Sequence, residues 1–139
     1  MSKAGEFTIA LRFFGDDLDP EKISSRLGVT PTYGCRKGDR IRGKTRDRIA
    51  TTGKWLLKIP AKSEDSLDLV IGILLDGMTK DLHVWRKLAN AYDGDLYCGV
   101  SLDGASKGME LSPRLMRRLA ERGLQLGLDI YAVRNEDDG

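Results

Sequence analysis

The chain has 139 residues with 23 basic and 21 acidic side chains, a net charge of +2. That length suits one domain, residues 1–139, able to bury roughly two-thirds of its unfolded surface without a metal or disulfide framework. The near-neutral balance argues against a general nucleic-acid magnet, and the absence of a leader-like or membrane-length apolar run points to a cytoplasmic protein.

In chain order, residues 6 to 14 alternate as a strand, with Phe7, Ile9, Leu11 and Phe13 on its apolar face. Gly15-Asp16-Asp17-Leu18 forms a turn. Asp19-Pro20 opens a short helix that carries Ile23 and Leu27 inward and stops at Gly28. Residues 29–53 are rich in glycine and charge and are expected to form a long basic loop with at most one short extended piece. A second strand is expected at 52 to 60, with Trp55, Leu57 and Ile59 inside and Pro60 ending it.

Residues 63 to 92 read as helical, with Ser63 as cap and Glu64 and Asp65 complementing the helix dipole. Leu67, Val70, Ile71, Leu74, Leu75 and Met78 form a stripe, and Gly77 and Thr79 interrupt it. A second helix carries Leu82, Trp85, Leu88, Ala89 and Tyr92. Asp93-Gly94 signals a turn before a third strand with Leu96, Cys98, Val100 and Leu102 facing in. After a loop at 103 to 108, Ser112 caps and Pro113 opens a last helix with Leu111, Leu115, Met116, Leu119 and Ala120 on its apolar side. Gly123 ends it. Leu124, Leu126, Leu128, Ile130 and Ala132 then form the inner face of a fourth strand. Residues 134–139 are expected to form a flexible acidic tail.

Each strand has one apolar face, so the expected fold is α+β: a mostly antiparallel or mixed four-stranded sheet with helices packed on one face. This is a two-layer sandwich, with a ferredoxin-like arrangement as one variant.

Two groups of residues are candidate sites. Arg36, Lys37, Arg40, Arg42, Lys44, Arg46 and Arg48, with Lys54 beyond them, face only Asp39 and Asp47 as acids in the 36–54 segment. Such a run can neutralise phosphates or dock an acidic protein surface. Only Tyr33 and Trp55 flank it, which argues against base stacking. On the last strand Gln125, Asp129 and Tyr131 share the polar face, where carboxylate beside phenol makes a proton-transfer pair or a ligand-binding edge. Against these stand a solvated loop and an ordinary exposed strand face.

Other clusters carry no chemistry. Asp16, Asp17 and Asp19 lack the loop spacing of a calcium site. His83 is the one histidine, and Cys35 and Cys98 are too distant in sequence to form a zinc pattern with it. The two cysteines are expected as free buried thiols. No phosphate-cradling glycine loop or nucleophile elbow is present, so neither a catalytic constellation nor a cofactor is expected.

Taken together, Ile9 to Phe13, Asp16-Asp17-Leu18-Asp19-Pro20, Leu27-Gly28-Val29-Thr30-Pro31, Arg36-Lys37-Gly38-Asp39, Gly53-Lys54-Trp55, Leu111-Ser112-Pro113 and Leu126-Gly127-Leu128-Asp129-Ile130-Tyr131 resemble the bacterial domain-of-unknown-function family 4279. The resemblance implies a small bacterial α+β protein and transfers no catalytic residue. The function expected is a non-catalytic protein-binding or regulatory module, for instance an immunity-like partner of another protein. The alternative is a nucleic-acid-associated protein that binds phosphates through residues 36–54. Oligomeric state is left open.

Overall fold

The computed structural model describes residues 6–62, 65–102 and 108–132. Its central strand is β1 (Glu6–Gly15), which pairs antiparallel with β5 (Gly53–Lys62) on one side and with β6 (Asp93–Leu102) on the other. A short β2 (Tyr33–Cys35) adds to β5, and β7 (Gln125–Ala132) runs parallel to β6. The mixed five-stranded order is β2-β5-β1-β6-β7. A ferredoxin-like unit runs β-α-β-β-α-β, whereas here helix separates every pair of successive long strands. These helices are α1 (Pro20–Leu27), α2 (Leu67–Asp76), α3 (Leu82–Ala91) and α4 (Pro113–Glu121).

Local chemistry sets the helix ends. Asp19 accepts from the Glu21 amide at the start of α1, and Ser112 accepts from the Leu115 amide at the start of α4, both with proline at the first position. The cap of α2 is Ser66 rather than Ser63, which lies outside the described residues. The first turn of α2 also reaches across: Asp68 accepts from the Ser112 amide at 2.6 Å and from its hydroxyl at 3.0 Å, so it fixes where α4 begins. Arg118 closes the other end of this helix pair with a 2.6 Å bond to Asp76.

The core lies between the sheet and the helices. Phe7, Ile9, Leu11 and Phe13 of β1, Trp55 of β5, and Leu96, Cys98 and Val100 of β6 pack against Ile23, Ile71, Leu75, Trp85, Leu88, Leu115 and Leu119. Cys35 and Cys98 are free and buried, and burial pushes the Cys98 thiol up to about 11.

Beyond that cap, four further sequence expectations are corrected. Pro60 does not end β5; it sits opposite Thr8, and the strand runs to Lys62. Beyond Leu56 the side of β5 facing away from β1 has no partner strand among the described residues, which is where a proline without N–H is tolerated. Asp93-Gly94 is the start of β6 rather than a turn: Gly94 lies opposite Phe13, whose Cε1 would be 2.6 Å from an added Cβ.

The inner face of β7 is covered only in part. Leu124 is buried and Leu126 half-buried, but Leu128 and Ile130 are each 51% exposed and Ala132 is exposed. The reason is length: nine helical residues extend about 14 Å, whereas eight strand residues extend about 26 Å, so α4 roofs about half of β7. Met116 (51% exposed) and Ala120 likewise stand outside the buried stripe of α4.

The fourth correction concerns residues 29–53, which hold β2 and a two-stranded ribbon, β3 (Arg40–Ile41) and β4 (Arg48–Ile49), where a loop with at most one short extended piece was expected. Mutual bonds of Gly38 and Asp39 with Ala50 (2.9 and 2.8 Å) extend the ribbon to its base. Arg42 and Arg46 are exposed near its tip. Replacing both with serine should therefore move the urea midpoint by no more than about 0.5 kcal/mol in stability. A larger loss would mean that the tip packs on the domain.

Candidate functional site

Two surfaces gather the polar chemistry of the chain. The first is the ribbon. Its base is tied to the turn after β1 and to the start of α1: Lys37 reaches Asp16 at 3.2 Å, and Arg36 reaches Asp19 at 2.9 Å and Glu21 at 3.9 Å. The Arg36 guanidinium holds the Asp19 carboxyl below its ordinary value, and Lys37 does the same for Asp16. The acidic turn is thus the counter-charge of the ribbon base. Arg40, Arg42, Lys44, Arg46 and Arg48 are all exposed and form no ion pair among the described residues. The pairing sets Arg40 opposite Ile49 and Ile41 opposite Arg48, so each face of the ribbon carries one aliphatic and one cationic side chain. Ile49 is 57% exposed.

The second surface is the helix-free face of the sheet. Period-two alternation places Lys54, Leu56 and Lys58 of β5, Thr8, Ala10, Arg12 and Phe14 of β1, and Asp95, Tyr97 and Gly99 of β6 on it. Gln125, Asp129 and Tyr131 of β7 lie beside Asp95, Gly99 and Ser101 in the same phase. A groove of about 430 Å³ runs across this face from Lys54 and Lys58 to Tyr131.

Its organiser is Arg12. The guanidinium is bonded twice to Asp95, Nε to Oδ1 at 2.8 Å and Nη2 to Oδ2 at 2.6 Å, a planar fork on a carboxylate. It also lies 4.5 Å from the Tyr97 ring centre and 5.4 Å from that of Phe14. The Asp95 hydrogen bonds raise the Arg12 pKa. Tyr97 then donates to Asp129 Oδ2 at 3.0 Å.

This corrects the pairing expected from β7 alone. The phenol beside Asp129 is Tyr97, supplied by the neighbouring strand, while Gln125 lies at the other end of β7, opposite Asp95. Arg12, Asp95 and Tyr97 were missed by the sequence reading. Their signal was present as the polar phase of two strands whose apolar phase drew attention.

The Asp129 hydrogen bond holds the Tyr97 pKa above 10.0. The phenol therefore keeps its proton near neutrality and acts as a donor rather than a base. A raised folded-state value means that its contribution to stability is fully present below pH 10 and is lost as pH rises through the folded pKa. Tyr97→Phe should cost about 0.5–1 kcal/mol at neutral pH. Urea midpoints of the two chains should converge in strongly alkaline buffer; a gap that stays constant would show that the hydrogen bond is not the cause.

Among the described residues no cluster of three or more His, Cys, Asp or Glu is arranged to hold a metal, and no helix is long and apolar enough to cross a membrane. No curated protein and no solved structure matches the chain. With its alternating strands and its Asp19-Pro20 and Ser112-Pro113 helix starts accounted for, the family model for a domain of unknown function, DUF4279, matches residues 5–133, and the chain belongs to that family.

Proposed function

We propose that the chain is a non-catalytic protein-binding module whose basic ribbon docks an acidic surface of another protein, in the manner of a regulatory or immunity-like partner. The observation that carries this reading is the set of five exposed cations without ion-pair partners among the described residues, interleaved with Ile41 and the 57% exposed Ile49. Aliphatic contact beside charge suits a protein surface, where apolar burial supplies affinity and the charges steer and orient.

The test compares the wild-type chain with one carrying Arg40→Ser, Arg42→Ser, Arg46→Ser and Arg48→Ser as bait in lysate of the source cell. Wild type should retain a protein that salt releases and nuclease does not, and the variant should lose it. Equal retention by both chains would refute the role of the ribbon.

One observation favours a second reading, binding of single-stranded nucleic acid. Phe14, Tyr97 and Tyr131 stand on the same open face as Lys54 and Lys58, which supplies the aromatic platform that residues 36–54 lack. A labelled oligonucleotide at low ionic strength tests it by anisotropy. Binding that falls linearly with the logarithm of salt, and is lost in Lys54→Ser/Lys58→Ser, supports that reading; no binding at low salt ends it.

A further inference from the structure

The two margins of the sheet are unlike. One is the three-residue β2, with the ribbon beside it; the other is β7, eight residues long and without a partner strand on its outer side among the described residues. Such an edge turns the N–H and C=O groups of alternate residues outward, and proteins usually blunt it with lysine, proline or a bulge. β7 has no lysine, arginine or proline, and its register with β6 runs unbroken from Asp95↔Gln125 to Leu102↔Ala132. Its single charge, Asp129, is occupied by Tyr97.

Apolar surface follows the same margin. Leu128 and Ile130 are half exposed on the helix side. On α4, Arg114 and Arg118 line the groove against α2, while Leu115 and Leu119 face the sheet. Helical spacing then turns Met116, 51% exposed, to the flank away from α2.

We propose that this margin pairs with the same margin of a second copy, β7 antiparallel to β7, about a twofold axis perpendicular to the sheet at Leu128. In that register Leu128 faces its own equivalent and Ile130 faces Leu126, so the exposed apolar positions cover one another. Asp129 faces Gly127. Moving the axis to Asp129 would set two carboxylates opposite each other, and moving it to Gly127 would set Ile130 against Leu124, which its own helix already buries.

Charge permits the association. The net charge is only +2, and the basic ribbons flank the far margins. In the ten-stranded sheet the two β5 strands lie seven strand spacings apart, about 34 Å, well beyond a Debye length of about 8 Å. The dimer would present two ribbons at opposite ends, and it stands whether or not the ribbon binds protein.

Sedimentation of the full chain over a dilution series tests the proposal. The expected mass is twice 15.4 kDa, dissociating on dilution. Leu128→Lys/Ile130→Lys should sediment at the single mass and, at dilutions where the wild type is itself monomeric, share its thermal midpoint, since both sites are half exposed. Oxidation should cross-link the Leu128→Cys chain but not Gln125→Cys, whose equivalents would lie about 20 Å apart along the strands; the native thiols are buried. A monomer at every concentration, a dimer that survives the lysine pair, or equal cross-linking at both positions would each overturn the proposal.

Discussion

Truncating Trp85 to alanine is expected to lower the unfolding free energy by about 3–5 kcal/mol, through the cavity left by a large buried ring. Trp85 is fully buried, and its Nε1 donates at 2.8 Å to the Thr79 carbonyl in the α2–α3 connection. The indole face also receives the Arg122 guanidinium at 5.6 Å. Arg122 is only 5% exposed, burial lowers its pKa, and its Nη1 donates at 3.0 Å to the Arg118 carbonyl at the end of α4. Alanine would therefore open a void, strand a carbonyl and remove the aromatic face beside a buried cation. Arg122→Met, which removes the cation while keeping an apolar side chain of similar length, should by contrast fall within about 1 kcal/mol of wild type or stabilise. Urea midpoints with unchanged slope measure both. A Trp85→Ala loss under about 1 kcal/mol would show that the site collapses around the gap.

Gly53→Ala should cost on the order of 3 kcal/mol, the upper end of overpacking penalties, for one added methyl. Gly53 begins β5 opposite Gly15, where the chain folds over Leu18. An added Cβ would lie 2.7 Å from the Gly15 carbonyl oxygen and 2.8 Å from Leu18 Cβ, with the Leu18 carbonyl oxygen at 3.1 Å. Two of these are backbone atoms and none can rotate away. Gly28→Ala is the useful contrast: nothing lies within 4 Å of its Cβ, but its φ is +80°, so only the left-handed strain of about 1 kcal/mol applies. Equal losses at the two positions would mean that the close approach at Gly53 relaxes freely.

What could be read from the residues was whatever one segment encodes by itself. The alternation of Phe7, Ile9, Leu11 and Phe13 and the Asp19-Pro20 and Ser112-Pro113 helix starts are local patterns, and the structure keeps them. The helix-covered mixed α+β sheet followed from them. What escaped was whatever depends on neighbours. Pro60 reads as a stop until the strand beside it is known to end early. Leu128 and Ile130 read as core because periodicity reports a face, not whether a helix reaches far enough to cover it. Of the polar network on the open face, only Asp129 was singled out, because Arg12–Asp95 and Tyr97–Asp129 join residues 83 and 32 positions apart. The basic segment is legible as charge, while its ribbon rests on bonds between Gly38, Asp39 and Ala50 that composition does not announce.

The central place of β1 has a kinetic consequence. Its two partners begin at Gly53 and Asp93, so during synthesis this strongly apolar strand emerges before either and waits for both. Loop closure over those distances precedes any return from the core, which predicts slow, late-committing folding. Until the ribosome has delivered β6, Phe7, Ile9, Leu11 and Phe13 remain the segment most in need of shelter by a chaperone.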